Sequence, residues 1–288
     1  MKNGEITRYQ KIITENNVGV ANHNKEKNYL IPEGSPIPVF VKLGIFTKDY
    51  KVVAKMHDKF KQINRYLELL SDIIKEYKEN DDIHIVDFGC GKSYLSFAVY
   101  YYLSVIKKLN VFLTGIDLKK EVVEDCKKLA EEYGYSGMDF FAMDIKDFVP
   151  KQKIDLVISL HACDIATDFV IHQAVKAGAK HIFSVPCCQK EVNKNIANSY
   201  EPILFRYGIL QERVSALITD AIRATVLELN GYKTDISEFV DLTDSPKNLL
   251  IRASLAAHSP SYLKKKREEL NDLLVRVDAI PMIVKLLG

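Results

Sequence analysis

The 288-residue sequence is 47% hydrophobic and 27% charged, which supplies a sizeable core and excludes a disordered tail. Its 40 basic and 38 acidic residues leave a net charge of +2, so only a clustered basic face would draw in nucleic acid. The polar first 28 residues, the lack of any bilayer-length apolar run and five cysteines, an odd number with two adjacent, argue against a signal core, a membrane partner and a disulfide framework, and give the expectation of a cytoplasmic protein with reduced thiols.

In chain order, Tyr29 to Pro38 is Pro-rich and reads as extended or turning chain. From Val52 to Tyr77 the apolar residues recur in steps of three and four, predicting one long amphipathic helix. Ile83 to Phe88 is an apolar run ending in glycines, a buried strand. Ser93 is placed to cap the helix that follows. Val111 to Ile116 is a second strand, and Lys119 to Tyr133 a helix stopped at Gly134. Asp139 to Ala142, Ile154 to Leu160 and His181 to Val185 read as three more strands. Asp164 is placed to begin a helix between the last two. A helix from about Ile209 to Leu229 precedes strands Tyr232 to Val240 and Asn248 to Leu255, whose short connection allows only an antiparallel pair. Pro260 to Val277 is a C-terminal helix.

Repeated strand–helix units demand a parallel sheet covered on both faces. The expected fold is α/β: a doubly wound, mostly parallel, seven-stranded Rossmann-like sheet with an N-terminal helical extension. Residues 1–80 form the extension, 81–257 the main domain and 258–288 a helical tail. Ligands of such sheets lie at the carboxyl ends of the strands.

The first strand ends in Asp87-Phe88-Gly89-Cys90-Gly91-Lys92-Ser93. Its glycines permit a sharp turn, and the following helix offers free N–H groups to an anion. The third glycine of a dinucleotide fingerprint would fall at Tyr94. This disfavours a nicotinamide-dependent oxidoreductase and favours a smaller anion, such as the carboxylate of a methionine moiety. Asp117 at the second strand end could accept two ribose hydroxyls, with Leu118 beside it; alternatively it caps the next helix. Asp144 could accept an adenine amino group and Ile145 cover the ring; otherwise Asp144 is a turn residue. The fourth strand leads into Leu160-His161-Ala162-Cys163-Asp164, where His161 is a candidate general base and Asp164 could orient it. The alternatives are a structural histidine and an N-cap. Cys90, Cys163, Cys187 and Cys188 all follow strand ends; without a Cys-x-x-Cys pair they read as a metal-free rim rather than a thiolate metal site.

Several segments resemble the class I methyltransferase-domain family that includes the glutathione S-transferase C-terminal domain-containing proteins and many uncharacterised bacterial methyltransferases. They are Asp58-Lys59-Phe60-Lys61-Gln62-Ile63-Asn64-Arg65, Val86 to Lys92, Leu160 to Asp168, Val185-Pro186-Cys187-Cys188-Gln189, Thr219-Asp220-Ala221-Ile222-Arg223, and Ser245 to Arg252. The resemblance spans about Tyr29 to Ala256 and implies binding of S-adenosylmethionine and methyl transfer. The cofactor candidates are Asp87, Gly89, Cys90, Gly91, Ser93, Asp117, Leu118, Asp144, Ile145 and Leu160. The catalytic candidates are His161, Asp164, Cys187 and Cys188. Lys59, Gln62 and Arg65 are candidates for facing the site.

RNA is the expected acceptor, from Lys55, Lys59, Lys61 and Arg65 on the long helix and Lys264 to Arg267 in the tail. Protein and small molecules are the other acceptor classes. The rival to an enzyme is a non-catalytic member of the fold acting as a binding or scaffold protein.

Overall fold

The computed structural model describes residues 29–160, 162, 164–186, 190–196, 202–238 and 249–288. The Pro-rich run ends in a short helix, α1 (Pro38–Lys42), with proline at its first turn, where its missing N–H is not needed. The long amphipathic helix is α2 (His57–Ile74). It starts later than its apolar spacing predicts. Val52 instead bridges Phe46 in an antiparallel contact, and Ala54–Met56 form a 3-10 turn. The two β-branched residues Val52 and Val53 suit extended chain better than a helical turn.

The βα units then follow the predicted order: β1 (Asp82–Phe88), α3 (Tyr94–Tyr101), β2 (Asn110–Asp117), α4 (Lys120–Glu132), β3 (Met138–Ala142), β4 (Leu156–Ser159), α5 (Ile165–Lys176) and β5 (His181–Ser184). After these come α6 (Lys190–Asn195), α7 (Pro202–Phe205), α8 (Gly208–Leu229), β6 (Tyr232–Glu238), β7 (Leu249–Leu255), α9 (Pro260–Val277) and α10 (Met282–Leu287). The predicted ends of the last two strands at Val240 and Asn248, and the turn between them, lie outside the described residues. Helix α3 continues into a π-helical turn, Tyr102–Ile106, which no apolar spacing announces.

The seven strands form one sheet in the order β3-β2-β1-β4-β5-β7-β6. Strands β1 to β5 pair in parallel, and β7 runs antiparallel to both β5 and β6. The order reverses between β1 and β4, so their carboxyl ends flank the crevice where a doubly wound sheet takes its ligand.

Alternation along the strands divides the core. Ile83 and Ile85 of β1, Leu156 and Ile158 of β4, and Phe183 of β5 pack on one face under α2, α3 and α4. Val86 and Phe88, Val157, and Ile182 pack on the other under α5, α8, α9 and α10. The N-terminal extension is therefore part of the main core from Ile31 onward; the buried Asn64 of α2 accepts the Ile31 N–H at 2.9 Å. Past the end of α2, Glu76 meets Lys180 and His181 at the start of β5, both at 2.8 Å. The other end of α2 must then lie above the carboxyl ends of the strands.

Among the described residues, no helix is long and apolar enough to cross a membrane.

Candidate functional site

The turn after β1 has the backbone its glycines predict. Gly89 and Gly91 have φ of 71° and 52°, left-handed values that glycine adopts without strain. Ser93 shares this conformation at φ 54°. A capping serine needs extended backbone to aim its oxygen at the first-turn amides, so Ser93 stands at the cap position without capping. Its buried hydroxyl is instead 3.5 Å from the Gly91 carbonyl and 3.5 Å from the Cys126 thiol, which donates to it. A left-handed serine costs about 1 kcal/mol, a strain held in place by the packed loop.

Most of the turn's amides are already used. Gly89 and Cys90 donate to the Ile116 carbonyl at 2.8 and 3.1 Å, and Ser93 donates to the Cys90 carbonyl at 2.8 Å. Gly91 donates to Asp117 Oδ2 at 2.9 Å. Asp117 Oδ1 accepts from the Lys119 N–H at 3.0 Å, so Asp117 ties the end of β2 to the glycine turn, while the cap position of α4 falls to Lys119. A carboxylate has about four acceptor positions, so two remain for a ligand.

A cavity of about 280 Å³ opens beside this turn. Asp87, Gly89, Cys90, Gly91, Ser93 and Leu160 line it, as do Lys92, Tyr94 and Leu95. Its remaining wall is Lys59, Gln62 and Ile63 of α2. Lys59 and Gln62 thus face the site as expected. Arg65 does not: it pairs with Glu68 at 3.0 Å and is exposed.

Asp117, Leu118, Asp144 and Ile145 stand on the adjoining rim, outside this cavity. Leu118 is 70% exposed. Asp144 Oδ1 accepts from the Lys146 N–H at 2.9 Å and caps the 3-10 turn Ile145–Asp147, leaving its other oxygen for a ligand. The Ile145 carbonyl accepts from Gln173 at 2.9 Å, which fixes that turn on α5.

Burial shapes the chemistry of the cavity wall. Asp87 is buried, which pushes its carboxyl up to about 7; the Ser96 hydroxyl donating to it opposes the rise, and the nearby Asp117 charge adds to it. Burial, with the nearby Asp87 charge, pushes the Cys90 thiol well above its ordinary value. Cys90 is therefore a neutral thiol at physiological pH, a poor nucleophile and a poor metal ligand. Among the described residues no group of three or more His, Cys, Asp or Glu is placed to hold a metal ion. His161, Cys163, Cys187 and Cys188 lie outside the described residues.

Asp164 begins α5 at φ 54° and ψ −122°, and its side chain makes no hydrogen bond to the helix amides. Its Oδ1 instead accepts the Lys190 N–H at 2.9 Å, and its carbonyl accepts from Arg223 Nη2 at 3.0 Å. Such backbone costs of order 1–3 kcal/mol and persists only where its surroundings over-determine it. Here Asp164 joins the turn after β4 to the helix after β5. Arg223, only 1% exposed, also pairs with Asp168 Oδ1 at 2.7 Å and Asp220 Oδ1 at 3.0 Å. Sequence alone gives Arg223 and Asp168 no role beyond their place in the family-like segments. A lone arginine among Ala221, Ile222, Ala224 and Val226 was the available signal, because an apolar helix face tolerates a charge only when it is paired.

The basic runs are threaded with acids. Lys61 pairs with Asp58 at 3.3 Å, Lys264 with Glu268 at 4.0 Å, Lys265 with Glu269 at 3.8 Å and Lys266 with Glu269 at 3.0 Å. A different surface lies on α7 and the start of α8. Gln211 of α8 donates to the Asn193 carbonyl of α6 at 2.7 Å, and near this junction Ile203, Leu204, Tyr207, Ile209 and Leu210 are all exposed.

A family model described as a methyltransferase domain matches residues 58–195. The glutathione S-transferase C-terminal domain-containing protein homolog of Drosophila melanogaster is 30% identical over 131 residues, 46% of this chain and 21% of that protein. The human glutathione S-transferase C-terminal domain-containing protein is 24% identical over 193 residues, 58% of this chain and 29% of that protein. The chain thus spans less than a third of the length of these two curated relatives. A solved SAM dependent methyltransferase from Aquifex aeolicus aligns with a TM-score of 0.41 at 11% identity, over 70% of this chain and 94% of that one.

Proposed function

We propose that this chain, whose residues 58–195 match a methyltransferase-domain family, is a class I methyltransferase that transfers a methyl group from S-adenosylmethionine to an acceptor. The observation that carries this reading is the Gly89–Gly91 turn, pinned by Asp117 from the neighbouring strand and opening on a cavity at the switch in strand order. The cradle fits the group: a side chain added at Gly89 or Gly91 would meet no atom within 4 Å, so the turn leaves open space in front of it. The free acceptor positions of Asp117 suit the two ribose hydroxyls, and the second oxygen of Asp144 suits an adenine amino group. Leu118 and Ile145 offer apolar cover to the ring, and Leu160 closes the side towards β4.

When bound, the cofactor supplies a methyl group on a positively charged sulfur, ready for in-line displacement. The protein's part is alignment of the acceptor with that methyl. Where the acceptor must lose a proton, His161 is the proposed base. Asp164 holds the turn that carries it against the helix after β5. Cys187, after Pro186, is the proposed thiolate for an acceptor methylated at carbon through a covalent adduct, with Cys188 beside it.

RNA is the first acceptor class to test, supported by Lys55 and Arg267 in the basic runs; the ion pairs of their neighbours limit the field those runs create. A protein acceptor is the second, favoured by the exposed apolar residues between Ile203 and Leu210. The test is transfer of labelled methyl groups into RNA, protein and small-molecule pools from cells lacking the protein. Label in RNA is expected. Label confined to another pool overturns the RNA reading. Saturable cofactor binding without transfer into any pool overturns the enzyme reading in favour of a scaffold.

A further inference from the structure

We propose that Lys59 and Gln62 of α2 form the clamp for the carboxylate at the methionine end of the cofactor, so that the helix before the sheet completes the binding site. This inference rests on the cofactor reading above and assigns a function to residues outside the glycine turn.

Three observations carry it. The first is position: Lys59 and Gln62 line the same cavity as Gly89, Gly91 and Leu160, because α2 brings its first turns over the carboxyl ends of the strands. The second is charge. Lys61 and Arg65 on the same helix each meet a carboxylate. Lys59, which is half-buried, meets only the neutral Gln62 Oε1, at 2.5 Å; among the described residues no carboxylate stands within ion-pair distance of it. A partly desolvated ammonium with no counter-charge is held at a cost, and burial accordingly pushes its pKa below the ordinary lysine value. An anion entering the cavity removes that cost.

The third is the state of the turn itself. In a phosphate-binding loop the backbone amides receive the anion. Here the amides of Gly89, Cys90, Gly91 and Ser93 are spent on Ile116, Asp117 and Cys90. Two lysines line the cavity: Lys92, on the turn itself, is exposed, whereas Lys59 is half-buried on the facing wall and gains most from an anionic partner. With its oxygen taken by Lys59, the Gln62 amide keeps its two N–H donors for the second carboxylate oxygen. A single carboxylate also suits a cavity of about 280 Å³ better than a polyphosphate does.

Isothermal titration of the full chain with two ligands tests this. S-adenosylhomocysteine carries the amino-acid end, and 5′-methylthioadenosine lacks it. Lys59→Met is expected to weaken S-adenosylhomocysteine roughly tenfold or more, as loss of a hydrogen bond to a charged group does, and to leave 5′-methylthioadenosine unchanged. Lys59→Arg is expected to recover part of the loss. Equal weakening of both ligands, or no change with S-adenosylhomocysteine, overturns the clamp while leaving the cofactor reading intact. Failure of the wild-type chain to bind either ligand overturns the cofactor reading and the clamp with it.

Discussion

Replacing Arg223 by methionine should be among the most damaging single changes in this chain. The guanidinium is 1% exposed and sits between Asp168, also 1% exposed, and Asp220, 4% exposed. Methionine fills similar volume but leaves both carboxylates without it. Removing one partner of a buried ion pair typically costs about 3–5 kcal/mol, and the Asp164 carbonyl loses one of its two donors, keeping the Thr167 N–H. At 2–4 °C per kcal/mol for a chain somewhat smaller than this one, the melting temperature should fall by roughly 10 °C. Burial already holds the Asp168 carboxyl above its ordinary value, against the pull of Arg223. A protonated Asp168 does not need the guanidinium, so the deficit should shrink as pH falls. Adding Asp168→Asn and Asp220→Asn to the methionine variant should recover part of the loss. Scanning calorimetry from pH 5 to 8 reads all three effects. A methionine variant that melts within 2 °C of wild type, or a deficit independent of pH, would refute the buried-charge argument.

Asp87→Asn should change how stability depends on pH. The folded carboxyl titrates at about 7 against an ordinary 3.8, so between those values the folded state holds a proton that the unfolded chain has lost. Stability from this group therefore falls as pH rises through that window, by up to about 1.4 kcal/mol per unit. The wild-type melting temperature should drop more steeply than the variant's between pH 5 and 7; parallel curves would contradict the raised value. The cysteine rim should carry no metal. Elemental analysis of untagged protein should find substoichiometric zinc and iron, and a stoichiometric metal lost in Cys187→Ser would reverse that expectation.

The sheet was legible because every buried strand is a short apolar run closed by a turn residue, and α9 matches its predicted bounds, Pro260 to Val277. Side-chain roles at the turns were less so. Ser93 and Asp164 occupy cap positions, as their residue types suggest, yet both have positive φ, set by the packed turns around them rather than by local sequence. Lys59 and Gln62 come from the family-like segment Asp58 to Arg65, and both line the cavity. Arg65 fell outside because Glu68 at the third position along claims it, a pairing the sequence already displayed. The same spacing, Lys264 to Glu268 and Lys265 to Glu269, announces that the tail's basic run is half neutralised. The Asp168–Arg223 pair joins residues 55 positions apart, which only the packing of α5 on α8 reveals.

Equilibrium dialysis of the purified chain with labelled S-adenosylmethionine, in competition with S-adenosylhomocysteine and with NAD, tests the central claim most directly. The account predicts one site per chain, displaced by S-adenosylhomocysteine and not by NAD. Because Asp117 pins Gly91 and is the proposed acceptor for the ribose hydroxyls, Asp117→Ala should weaken that site by about 1–3 kcal/mol. Displacement by NAD, or saturable binding left unchanged in both Asp117→Ala and Asp144→Ala, would contradict the assignment.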